Sequence, residues 1–314
     1  MIVRREIEVD GIHLSFLESG KVVRDQSSVV LVHGLMGCAE TFVPLMQELH
    51  QHLHVIALDL PGAGRSERRE DIDASLFHTA KLVGRTLKVL RIEKPILIGH
   101  SHGGSVAMSL AAYKRDGVLS LVLLSPAHPY FEDGDPLIRF YLSLPGRIFA
   151  YAMPWFPQWV QMVGLHRMAG PHNEDTPERL RPYRENLRTR GTVLHLLRLL
   201  RTWNKDMSGL HHALRRPLRI PSLILWGDCD RAVPLQSAGQ LRLRLLHSEL
   251  ITLQGVGHRP AEEVPHLVAG FIHAWIERSI EVVAASEAAR YRPNSSVSQA
   301  RIAPLIVSSL DAGD

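Results

Sequence analysis

Six short runs of nearly unbroken apolar residues limit what this chain can fold into. They are Val29-Val30-Leu31-Val32, Val55-Ile56-Ala57-Leu58, Ile96-Leu97-Ile98, Leu121-Val122-Leu123-Leu124, Leu223-Ile224-Leu225-Trp226 and Leu250-Ile251-Thr252-Leu253. Each is too short for a helix, and a strand with no polar face has to be covered on both sides. Between the runs lie longer segments with apolar residues at helical spacing, such as Phe77 to Leu90, Val106 to Tyr113 and, after the last run, Ala261 to Arg278. Strand–helix alternation of this kind predicts a mostly parallel α/β sheet with helices on both faces. Ahead of it, the alternating stretches Ile2 to Val9 and Ile12 to Leu17 are separated by Asp10-Gly11, a hairpin signal that brings the strand count to eight.

The alternation stops at Ser125 and resumes at Pro221. The stretch between is rich in helix formers, aromatics, Arg and scattered Pro, and it lacks buried-strand runs. The expected organisation is therefore a core of residues 1–125 and 218–280, a helical cap of residues 126–217 inserted into it, and a C-terminal tail of residues 281–314. The tail is rich in Ala and Ser, a composition with little capacity for independent structure. The cap crowds Phe140, Tyr141, Phe149, Tyr151, Trp155, Phe156 and Trp159 into a short span. They read as the cap's own small core and its docking surface, with an acyl or aromatic pocket as the alternative. Arg179, Arg181, Arg184, Arg188 and Arg190 read as a solvated helix face, with attraction of an anionic substrate as the alternative.

Thirty-six basic against 32 acidic residues give a formal charge of +4, too small and too dispersed for a nucleic-acid partner. The two cysteines, Cys38 and Cys229, read as free thiols in a reducing compartment. The first residues show no secretory pattern, and no apolar run is long enough to span a bilayer, so a cytoplasmic location is expected. His50, His52 and His54 fall on the N-terminal side of a strand, and His211-His212 would point to different helix faces; no metal site is expected at either.

Chemistry concentrates where the apolar runs end. Ile98-Gly99-His100-Ser101-His102-Gly103-Gly104 joins a strand to a helix through G-x-S-x-G. A sharp turn there strains the serine backbone, and glycines two residues to either side keep Cβ atoms out of the crowd. Such a turn lifts the Ser101 hydroxyl to the helix N-terminus, where developing negative charge is favoured. His33-Gly34-Leu35-Met36-Gly37 ends the first buried run, and a glycine turn there would aim the Leu35 amide into the same crevice as that of His102. Trp226-Gly227-Asp228-Cys229-Asp230 and Gly255-Val256-Gly257-His258 end the last two runs with an acid and a base, in the order serine, acid, histidine.

With these motifs in view the chain resembles the α/β-hydrolase superfamily, in the branch of capped esterases, carbon–carbon bond hydrolases and cofactor-free haloperoxidases. The matching segments are HGLMG at 33–37, DLPGAGRS at 59–66, GHSHGG at 99–104, WGDCDRAVP at 226–234 and GHRPAEEVP at 257–265, so the resemblance covers roughly residues 1–279. The family pattern sets the acid three residues after the glycine of the WG turn, which implies Asp230 and leaves Asp228 to bond within the turn. The resemblance implies Ser101 as nucleophile, His258 as base, Asp230 as its orienting acid, the Leu35 and His102 amides as oxyanion hole, and no cofactor. Relatives that act on epoxides or haloalkanes carry a carboxylate where Ser101 stands. The HGGPG turn of proline iminopeptidase-like relatives is absent, and Arg259 replaces the Trp that usually follows the histidine in carbon–carbon bond hydrolases.

The expected activity is hydrolysis of a carboxylic ester or related acyl compound, with an apolar small molecule as partner. Rival readings are a carbon–carbon bond hydrolase, a cofactor-free haloperoxidase or lyase on the same three residues, and a small-molecule receptor on a hydrolase scaffold. A variant of the first reading has the enzyme resting on a lipid surface through its aromatic cap. Oligomeric state leaves no mark on the sequence.

Overall fold

Asp10 and Gly11 both adopt positive φ, 53° and 72°, and turn the chain between β1 (Val3–Val9) and β2 (Ile12–Ser19) with Val9 opposite Ile12. This is the two-residue hairpin their sequence favours. The computed structural model describes residues 1–22, 27–114, 117–131, 139–140, 143–152, 155–171 and 175–290. Met1–Ile276 form one compact body. A second unit begins at Glu277, and of it the structure describes only helix, to Arg290.

The hairpin leads into β3 (Val29–Val32), β4 (Val55–Leu58), β5 (Ile96–His100), β6 (Ser120–Leu124), β7 (Ser222–Gly227) and β8 (Ser248–Leu253). The sheet order is β1-β2-β4-β3-β5-β6-β7-β8, antiparallel as far as the β2–β4 pair and parallel from β4 onward. The helices are α1 (Val43–Leu49), α2 (Leu76–Val89), α3 (His102–Tyr113), α4 (Leu144–Ala152), α5 (Gln158–Met168), α6 (Pro177–Arg188), α7 (Thr192–Ala213), α8 (Ala238–Arg242), α9 (Pro260–Glu263) and α10 (Pro265–Arg290).

Period-two alternation explains why the central runs are apolar throughout. Val30, Val32, Ile56, Leu58, Leu97 and Leu121 pack on one face against α2, α3 and α7. Their neighbours Val29, Leu31, Val55, Ile96, Ile98 and Val122 pack on the other against α1 and α10. β8 departs from the expectation of a strand buried on both faces. It is the sheet edge, and only Leu253 in it is fully buried. The last helical run also differs. Pro265 lacks an N–H and pushes Val264 out of helical geometry (φ −137°, ψ 56°), so the run starts as α9, breaks, and continues as α10 to Arg290, beyond the expected end at Arg278. Residues 291–314 and Tyr141 lie outside the described residues.

Parallel strands align their C-terminal ends along one edge. From β3 the chain passes to β4 on one side, and β5 then lies on the other. This reversal of direction opens a crevice above the strand ends, the usual ligand position in open α/β sheets. The turns after β3, β5, β7 and β8 all meet there.

Candidate active site

Ser101 follows β5 and caps α3 with φ 51° and ψ −120°, a strained conformation for a side-chain-bearing residue. The surroundings hold it there. Its N–H donates to the Leu124 carbonyl (3.0 Å), and its own carbonyl accepts from Gly104 and Ala127 (2.9 Å each). A Cβ on Gly99 would stand 2.4 Å from the Gly103 carbonyl oxygen, and one on Gly103 only 2.0 Å from that of Val32. Both glycines of the motif are therefore dictated by backbone approach.

His258 lies in the loop after β8, with its backbone N–H donating to the Met168 carbonyl at the end of α5 (2.8 Å). Its Nδ1 is 2.9 Å from Asp230 Oδ2, and its Nε2 is 2.9 Å from Ser101 Oγ. The carboxylate can only accept, so Nδ1 carries the proton and Nε2 is left to accept from the serine hydroxyl. Asp230 Oδ1 accepts from the amides of Ala232 (2.8 Å) and Val233 (3.0 Å), which fixes the carboxylate plane. Asp228 is exposed and accepts from Gly255 N–H at 2.8 Å, bonding within the turn. All three side chains of the serine–histidine–Asp230 line are buried.

The HGLMG turn packs directly on the serine. A Cβ on Gly34 would lie 2.9 Å from Ser101 Cβ, and Met36 takes a positive φ of 63°. Its neighbours pin it. Asn186 of α6 donates to the carbonyls of Met36 and Gly37 (2.9 Å each) and accepts from Gly64 N–H. His33 donates to the Gly34 carbonyl and accepts from Leu60 N–H. The His102 amide belongs to the first turn of α3, whose N–H groups have no acceptor within the helix.

A cavity of about 180 Å³ opens over these groups, with Ser101 and His258 in its lining. Its wall is mostly apolar, including Leu35, Met36, Phe131, Leu165, Leu200, Trp203 and Val233. Among the described residues, Phe140, Phe149, Tyr151, Trp155, Phe156 and Trp159 stay out of this lining, whereas Phe131, Tyr183 and Trp203, also between β6 and β7, enter it. Phe149 stacks on Phe156 (ring centroids 5.1 Å apart) and meets Phe140 edge-on, whereas Tyr151, Trp155 and Trp159 are exposed. Arg179, Arg181, Arg188 and Arg190 face solvent, and Arg184 is half-buried.

Three elements of the site carry no sequence signal of their own. His100 donates through Nε2 to the His258 carbonyl (2.6 Å), and burial, then the nearby His258, push its pKa down to about 3. Asn186 reaches the HGLMG turn from a segment without motifs. Arg259, known from the sequence only as a departure, is fully buried. It pairs with Asp175, sits 3.6 Å from Glu262, and lies over the Tyr183 ring, whose hydroxyl donates to Glu262. Burial lifts the Glu262 carboxyl to about 7 against the pull of Arg259. Among the described residues no group of His, Cys, Asp and Glu is placed to hold a metal ion. His54 instead bonds Ser28 and Glu18.

Residues 27–264 match the family described as alpha/beta hydrolase fold. The chain belongs to the α/β-hydrolase family. It is 28% identical to an uncharacterized hydrolase, YugF, of Bacillus subtilis, over 87% of this chain and 97% of that one. It is 24% identical to the mouse monoacylglycerol lipase ABHD6, over 78% of this chain and 74% of that one. The haloalkane dehalogenase DbeA of Bradyrhizobium elkani superposes with a TM-score of 0.74 at 20% identity, covering 90% of this chain and all of that one. An epoxide hydrolase shares the fold as well. This α/β hydrolase thus has relatives named as hydrolases and lipases, and a small-molecule substrate follows from the family. No helix among the described residues is long and apolar enough to cross a membrane.

Proposed function

We propose that the chain is a serine esterase that cleaves a carboxylic ester, or a related acyl compound with an apolar acyl group, through an acyl-enzyme. What supports this is the unbroken hydrogen-bonded line from Ser101 Oγ through His258 to Asp230, opening into an apolar cavity. His258 Nε2 takes the hydroxyl proton as Ser101 Oγ attacks the carbonyl carbon. The amides of Leu35 and His102 hold the oxyanion, and the proton passes to the departing alkoxide as the C–O bond breaks. Water repeats the cycle on the acyl-enzyme and frees the acid. Asp230 fixes the imidazole tautomer throughout. A serine, unlike the carboxylate of dehalogenases and epoxide hydrolases, is suited to acyl rather than alkyl transfer. The helices between β6 and β7 act as a cap that supplies the apolar wall. Cys38 and Cys229 are free thiols, in keeping with a cytoplasmic location.

Hydrolysis of p-nitrophenyl esters from acetate to palmitate by wild type and Ser101→Ala tests the reading. Wild type should turn over, with a chain-length optimum that sizes the cavity, and the variant should fall by about 10⁴-fold or more in kcat. Equal, background-level rates across the series would overturn it.

A further inference from the structure

Helices α4 and α5 turn apolar residues the wrong way. On α4, Leu144, Ile148 and Tyr151 lie at i, i+4 and i+7 and share one face. On α5, Trp159 and Val163 do the same, with Trp155 just ahead. All six are exposed, Leu144 at 67%, Ile148 at 64%, Trp155 at 72% and Trp159 at 71%. A surface helix ordinarily keeps its apolar stripe inward. The two groups are continuous, since the rings of Tyr151 and Trp155 touch (centroids 5.6 Å apart). Contiguous apolar surface of this kind marks an interaction site.

The charge around it selects the partner. From Leu137 to Asn173 the sequence holds no Asp or Glu but carries Arg139, Arg147 and Arg167, with acidic residues bounding the stretch at Asp135 and Glu174. Apolar residues with Trp and Tyr, in a stretch of net positive formal charge, match an anionic lipid surface. A second copy of this chain matches poorly, because a two-fold contact would bring together two stretches of the same net formal charge. The cavity gives the arrangement a use. Ala150 of α4 and Gly164, Leu165 and Met168 of α5 face it, so one helix thickness, about 10 Å, separates its interior from the exposed face.

We propose that the outer face of α4 and α5 docks the protein on anionic lipid surfaces, laying it on the bilayer with the cavity above Ser101 turned toward lipid. Binding itself does not need catalysis. Only the further step, that the bilayer delivers the ester, rests on the esterase reading.

The test uses full-length Ser101→Ala protein, so that turnover does not alter the lipid. It is mixed with vesicles of phosphatidylcholine alone, and of phosphatidylcholine containing roughly one quarter phosphatidylglycerol. Binding should be strong to the anionic vesicles, weak to the neutral ones and reduced by high salt, and Trp emission should shift to shorter wavelength. Adding Trp155→Ala and Trp159→Ala should weaken binding about tenfold or more. In the otherwise wild-type chain the same pair should leave p-nitrophenyl acetate hydrolysis unchanged, which separates lost docking from lost folding and from lost catalysis. No binding to either vesicle, or binding indifferent to the two Trp changes, overturns the proposal. So does a solution dimer that those changes dissociate while vesicle binding persists.

Discussion

Asp228 and Asp230 stand two residues apart in one turn and have different surroundings. Asp230 gives one oxygen to two backbone amides and the other to His258, while Asp228 serves the Gly255 amide. Asp230→Asn should keep much of this geometry but offer an amide to Nδ1, forcing the wrong imidazole tautomer. Its kcat on p-nitrophenyl butyrate should fall by about 10⁴-fold. Asp228→Ala, which removes the acceptor, should change kcat by less than about tenfold and cost about 1 kcal/mol in a urea melt, the worth of one hydrogen bond. The opposite ranking in the two assays would exchange their roles. The sequence could not choose between these acids by itself. Both are turn residues of the same type after the same strand, and only the family spacing favoured Asp230. Ser101 was far more legible, because its glycines answer a backbone collision that any chain with this turn must avoid.

Between elements, one link from the core to the helices above it is the charge cluster at Arg259. Its guanidinium is held by Asp175, next to α6, and by Glu262 of α9, while Tyr183 of α6 reaches back to Glu262. The Asp175 and Arg259 side chains are only 3% and 2% exposed, so removing the cation strands buried carboxylate charge. Arg259→Met should lower unfolding free energy by about 3–5 kcal/mol, and adding Asp175→Asn should recover part of that loss. Chemical denaturation of the two variants measures both, and a single-variant loss under about 1 kcal/mol would remove the cluster from any role in fastening the segment. Nothing in the sequence joined these residues. Arg259 and Asp175 are 84 positions apart, and neither lies on a periodic face that a pattern could reveal. The helical segment was legible as helix and as an insertion, but not its route of attachment. The same limit applied to its aromatics. Composition said that they would pack or dock, and only the structure separates the stacked Phe149 and Phe156 from the exposed Trp155 and Trp159.

Over the whole molecule, the parallel sheet was the most readable level, since strands buried on both faces leave no polar residue to blur the pattern. The edge strand β8 and the Pro265 break were misjudged because burial and helix continuity depend on neighbours that a local window does not contain. The same burial that makes the sheet legible has a thermodynamic consequence. His100, His102 and His128 are driven by burial to pKa values of about 3, and His195 to about 4, from an ordinary 6.5. Below about pH 6.5 the unfolded chain takes up protons at these four positions and the folded chain does not. Stability is therefore complete above that pH and is lost as pH falls toward 3–4, each histidine contributing up to about 1.4 kcal/mol per pH unit. Glu262 runs the other way. Its folded value of about 7 lies above the ordinary 4.5, so it favours the folded state at low pH and loses that advantage as pH rises to 7. Burial raises Asp206 in the same direction as Glu262 and lowers His33 with the other imidazoles, so the carboxyls leave the sign unchanged. Urea melts from about pH 7.5 down to about pH 5 should show midpoints that fall steadily and an unfolding free energy that drops by several kcal/mol in total. His128 accepts from Tyr130 N–H and lies 3.0 Å from Ser237 Oγ, outside the cavity lining, so His128→Gln isolates one share of the slope. The variant should start less stable at neutral pH and lose less on acidification. Midpoints that do not move across this range would mean that these imidazoles are protonated inside the fold, against everything their burial implies.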